Sequence, residues 1–101
     1  MTHTITIRVD SDGNMTYEPA LLRAHPGDYV VWLCPDGDFA VSFNSRSPFP
    51  AAYFHGRRNV PTAPVQIAEN ASGSYHYAVA VHRSDDEGRI WFNCGSPEIF
   101  V

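Results

Sequence analysis

Two cysteines, Cys34 and Cys94, and five histidines, His3, His25, His55, His76 and His82, are the side chains of this 101-residue sequence best equipped for metal or nucleophilic chemistry. Their spacing is uninformative for either. Neither cysteine belongs to a C-x-x-C pair, so no zinc ribbon or thioredoxin-type motif is present. In a reducing compartment two free thiols are the default, although a bridge between Cys34 and Cys94 stays open. No H-x-H, H-x-x-E-H or H-E-x-x-H spacing occurs. His76 and His82 share a strand face but stand six residues apart, about 20 Å along an extended chain. Ser84, Asp85 and Asp86 follow His82 closely, yet adjacency in a turn is not a catalytic triad, and no G-x-S-x-G elbow exists. Cys34 or Cys94 as the nucleophile of a cysteine-dependent enzyme remains an alternative without an identifiable base. Asp10-Ser11-Asp12-Gly13-Asn14 resembles the opening of a calcium loop, but an EF-hand needs glycine and glutamate where Met15 and Leu21 stand. A hairpin turn is the simpler reading.

The segment 44–64 concentrates a different chemistry. Phe49, Tyr53 and Phe54 are interleaved with Arg46, His55, Arg57 and Arg58, and three of the chain's seven cationic residues fall here. Aromatic and arginine side chains dominate interface hot spots. Arginine also grips anions through a bidentate fork. The competing reading is a lid, with the rings folded onto the core and the arginines solvated.

These residues must be carried by strands. Ile5, Ile7 and Val9 alternate with polar residues, the period of a half-buried strand. Met15 to His25 is extended and broken at Pro19. Tyr29 to Cys34 is β-branched and aromatic throughout, and Phe39, Val41 and Phe43 alternate again. Pro48, Pro50, Pro61 and Pro64 exclude a central strand or long helix from 44–64, leaving a connection with one helical turn near Ala51–Phe54. Strand patterns return at Val65–Ala68, at Ser74–His82, where Tyr75, Tyr77, Val79 and Val81 face one way, at Arg89–Cys94 and at Glu98–Val101. Gly95-Ser96-Pro97 reads as a turn. Seven or eight short strands with turns every 8–12 residues predict a single-domain antiparallel Greek-key β-sandwich over residues 1–101.

Composition agrees. Hydrophobic residues are 44% and charged residues 18%, a folding composition. The net charge of −4 disfavours nucleic-acid binding. No apolar run spans a membrane, and the alternating N-terminus is unlike a secretory signal. With Met1 as the native start, the expected location is the cytoplasm.

The order of the pieces resembles the cupredoxin family, the fold of blue copper proteins. Gly27-Asp28-Tyr29-Val30-Val31-Trp32 is similar to that family's G-D-x-V-x-W turn and strand. Phe39–Phe43 is similar to the strand that opens on a copper-binding histidine, and Gly73-Ser74-Tyr75-His76-Tyr77 to the approach to the copper loop. The resemblance implies the fold but not the metal. Its two histidine positions fall at Phe39 and His82, its cysteine at Val79, and its axial methionine near Glu87. Phe39 and Val79 cannot ligate, so a type 1 copper site is not expected. On the same pattern Cys34 ends the strand beside that pocket, with His82 above it, which leaves a partial copper or zinc site as an alternative.

The leading expectation is therefore a non-catalytic binding or interaction module without a cofactor. Its contact surface would be Arg46, Phe49, Tyr53, Phe54, His55, Arg57 and Arg58, and its partner a protein or a small anionic ligand. A homodimer through Glu98–Val101, if that strand lies at a sheet edge, is a further expectation.

Overall fold

The computed structural model describes residues 1–83 and 89–101, leaving aside the side chains of Cys94 and Ser96. The Ser84, Asp85, Asp86 and Glu87 readings lie outside the described residues, and so does a Cys34–Cys94 bridge. The described residues form an all-β sandwich with no helix, and no helix is long and apolar enough to cross a membrane.

Among the described residues nine strands follow one another: β1 (Thr2–Val9), β2 (Met15–Glu18), β3 (Leu21–Arg23), β4 (Tyr29–Leu33), β5 (Asp38–Ser42), β6 (Tyr53–Gly56), β7 (Val65–Gln66), β8 (Ser74–Arg83) and β9 (Arg89–Phe100). They build a four-stranded sheet in the order β2-β1-β4-β7 and a five-stranded sheet in the order β3-β9-β8-β5-β6. Most pairings are antiparallel. Two are parallel: β1 with β4, aligning Thr2 with Tyr29, and β3 with β9, aligning Leu21 with Glu98.

Strand alternation carries the core. Ile5, Ile7 and Val9 of β1 face Leu22, Val41, Tyr77, Val79, Val81 and Ile99 across the sandwich, all buried. Fully buried Trp32 is surrounded by the rings of Phe43, Phe49, Phe54 and Tyr77, with centroids 5.4–6.3 Å away.

Three expectations need correction. The segment 44–64 holds strand β6 where a helical turn was expected. β6 is tolerated because it is an edge strand and its four residues contain no proline, so every N–H needed by β5 is available. The expected turn at Gly95-Ser96-Pro97 is a bulge inside one long strand. His76 pairs with Glu98 and Ala78 with Cys94, so those three residues oppose Tyr77 alone. Gly95 takes φ +100°, which permits the bend. Finally, Glu98–Phe100 lie at no edge. β9 sits between β3 and β8, and Ile99 is fully buried, so the expected homodimer through this strand has no free hydrogen-bonding edge to use.

One partly exposed corner makes a pH-dependent contribution. The Asp28 carboxylate accepts hydrogen bonds from His3 Nε2 at 2.9 Å and from the His25 amide at 3.1 Å. The His3 bond, then the His25 amide, hold its carboxyl at about 2 against an ordinary 3.8. A carboxyl depressed in the folded state stabilises the fold above its unfolded value and loses that contribution as protons return. Stability should therefore fall between about pH 4 and pH 2, and Asp28→Asn should flatten this limb in denaturant titrations run across that range.

Candidate functional site

The segment 44–64 closes the open side of the sandwich, where the outer edges of the two sheets approach. Its backbone is tied down along its length. The Phe43 amide donates to Ala52 O, the Asn59 amide to Cys34 O and the Thr62 amide to Trp32 O, at 2.8–2.9 Å. The Trp32 amide returns a bond to Thr62 Oγ1 at 3.0 Å. The segment thus runs as β6 on one sheet, turns at 57–61, and joins β4 on the other.

This geometry splits the expected contact residues into three groups. Phe49 is 5% exposed and Phe54 is half-buried, stacked on Trp32 at 5.4 Å. Phe49 therefore belongs to the core rather than to a contact surface. The open side of a two-sheet fold needs apolar cover, and these rings supply it. Arg46 is a brace. Its guanidinium lies 4.6 Å over the Tyr75 ring and donates to Ser72 O at 3.0 Å and Tyr75 Oη at 3.3 Å. Tyr53, His55, Arg57 and Arg58 are exposed. Arg58 Nε donates to Pro35 O at 3.3 Å, and its backbone amide donates to Asp38 Oδ1 at 2.8 Å, so both its side chain and its main chain are tied to the turn and strand 35–38.

Two shallow grooves flank β6, and Tyr53 lines both. The first, about 300 Å³, lies between Tyr53–His55 and the segment Thr62–Val65. The second, about 340 Å³, lies on the outward face of the five-stranded sheet. Its floor is Ala40, Ala78 and Ala80, brought side by side by the pairing of Ala40 with Ala80 and of Ser42 with Ala78. Tyr53 stands on one side and Phe92 on the other. The sequence did display the alternation that sends His76, Ala78, Ala80 and His82 outward. What it could not display is that β9 and β6 bring Phe92 and Tyr53 to the two sides of those methyl groups.

Alternation also separates the two suggested metal ligands. Cys34 is fully buried in the core, whereas His82 points out of the opposite face of the five-stranded sheet. They cannot share an ion. Among the described residues, no three His, Cys, Asp or Glu side chains gather as a metal would require. Burial pushes the Cys34 thiol above its ordinary value, outweighing the amides of Asp36 and Gly37 that favour the thiolate. A buried, protonated thiol is a poor nucleophile. Burial likewise pushes the Tyr17 hydroxyl up to about 12 and raises that of Tyr77. Phe39 and Val79 are 4% and 1% exposed, packed with the core.

The strands define an all-β, two-sheet sandwich protein. No family model matches the chain, and no curated protein matches it at a significant level. Among solved structures it is similar to native pseudoazurin from Hyphomicrobium denitrificans, at 20% identity and a TM-score of 0.49, over 100% of this chain and 75% of that one. The sandwich architecture stands on the strand pairings, independently of that likeness.

Proposed function

We propose that the chain is a non-catalytic binding module on a cupredoxin-like sandwich without a type 1 copper site. Its contact surface is β6 with the two grooves that meet at Tyr53. The observation that carries this reading is Tyr53 itself, a large aromatic side chain left 60% exposed where both grooves converge. Rings of this kind anchor protein interfaces, because they offer large area at little rotamer cost. The partner in this reading is a protein surface. The apolar lining of the outward groove supports that choice over an anion. Core positions at Phe39 and Val79, where the cupredoxin resemblance would place ligands, support the loss of the copper site.

The test is a photo-crosslinking amino acid substituted for Tyr53 in cells, with the same substitution at exposed Arg8 on the four-stranded sheet as reference. Discrete adducts are expected at position 53 and none at position 8. A lack of adducts at position 53, or equal labelling at both positions, would overturn the proposal.

A further inference from the structure

The outward face of the five-stranded sheet carries a projection and a hollow of matching kind. Phe92 is 70% exposed and Ile90 63% exposed on β9, and beside them lies the alanine-floored groove. The middle of this face bears no charge. One row across it reads Phe92, Ala80, Ala40, His55, and the next holds Ala78, Ser42 and Tyr53. Apart from His55, at the β6 edge of the first row, the charged or ionisable groups of this face among the described residues stand at its ends. Asp38 pairs with His82 at one end. At the other, His76 lies 3.9 Å from Glu98, and Arg23 covers the Phe100 ring. An apolar centre with a polar rim is the anatomy of a protein interface.

We infer that the occupant of this groove is a second copy of the chain, packed face to face, so that the Phe92 ring of each copy enters the alanine-floored groove of the other. This rests on the reading of β6 and its grooves as a contact surface, and names the partner. Two observations select a second copy. First, projection and hollow lie on the same face of one molecule, one strand apart. A two-fold axis parallel to the strands, between β8 and β9, lays β9 of each copy over β8 of the other. Each Phe92 then sits on the partner's Ala80, between the partner's Phe92 and the partner's Tyr53. Opposed sheets pack about 10 Å apart, a gap that a ring over a methyl fills and a ring over a ring does not. Second, the area is of the order of a weak, transient pair. Four strands at about 4.8 Å spacing and five residues at about 3.4 Å rise give a flat projection of about 320 Å² per copy. Knob-and-groove relief increases the contacting surface above that figure. Doubled for the pair, the flat figure of about 640 Å² stays below the roughly 1,200 Å² of a standard interface, in the range of weak, transient association.

Sedimentation velocity from about 1 to about 300 µM tests this. Wild type should pass from monomer to dimer across that range. Phe92→Asp, at a position already facing solvent, should weaken association at least about tenfold while leaving the thermal midpoint unchanged. Ala80→Arg, which fills the floor, should do the same. Wild type monomeric throughout, or a dimer indifferent to both substitutions, would overturn the inference. The crosslinker at position 53 separates this inference from the broader reading. An adduct of twice the chain mass supports both. A discrete adduct of another mass with a monomeric wild type sinks the dimer and leaves the contact surface standing, and no adduct with a monomeric wild type sinks both.

Discussion

Phe49→Ala should destabilise the fold by about 3–5 kcal/mol, the usual cost of emptying an aromatic site in a core. Its ring meets Trp32 at 5.6 Å, Phe43 at 5.7 Å and Phe54 at 5.4 Å, so truncation strips contacts from three neighbours that cannot all move in to fill the space. The loss is also not confined to the side chain. Phe49 lies within the strap that carries β6, and the Ala68 amide bonds to the carbonyl of neighbouring Pro48 at 2.8 Å. Against a typical domain stability of about 5–15 kcal/mol, the change takes about a fifth or more. Arg57→Ala, a few residues further along the same segment and exposed, should stay within about 0.5 kcal/mol. Urea denaturation of the two variants reads the contrast directly. Near-equal midpoints would mean that the segment does not fasten the sandwich.

Gly37→Ala should cost about 3 kcal/mol or more, for a reason unrelated to backbone freedom. Gly37 lies in the turn between β4 and β5, and a methyl group added there would stand 2.3 Å from the His82 carbonyl oxygen. That atom belongs to the backbone of β8, in the middle of the five-stranded sheet. It cannot retreat without breaking the register of β8 with β5. Gly95→Ala is the informative partner. There an added methyl meets nothing within 4 Å, but φ is +100°. Its cost should be only the torsional one, about 1–2 kcal/mol. If Gly37→Ala proved the milder of the two, the close approach of the turn to β8 would be refuted.

Both results concern features that differ in how well the chain announces them. Strands β1, β4, β5 and β8 are legible because alternation or β-branched density is local, and each lies where a period-2 reading puts it. The Phe49 lid was legible as one of two readings, because composition shows that aromatics are available but not which way they fold. Strand β6 was not legible. Four residues among prolines carry too little periodicity, and only the edge offered by β5 makes them a strand. The unbroken course of β9 was hidden for the opposite reason. Gly95-Ser96-Pro97 has turn chemistry, and the long partner β8 absorbs it as a bulge. The parallel pairings were beyond reach, since they join residues dozens of positions apart. The outward groove had a local trace in Ala78 and Ala80, but its walls come from strands whose neighbours only the topology reveals.

The placement of β9 has a bearing on how the molecule is made. It is the ninth strand in order of synthesis, yet it occupies the interior of its sheet, with β3 on one side and β8 on the other. Until residues 89–100 have left the ribosome, those two neighbours have no bridge between them. The apolar faces of Leu22 and Tyr75 then stay open to nascent-chain contacts. The five-stranded sheet therefore closes only once β9 has emerged, and a translational pause before Arg89 would prolong the interval in which those apolar faces are open.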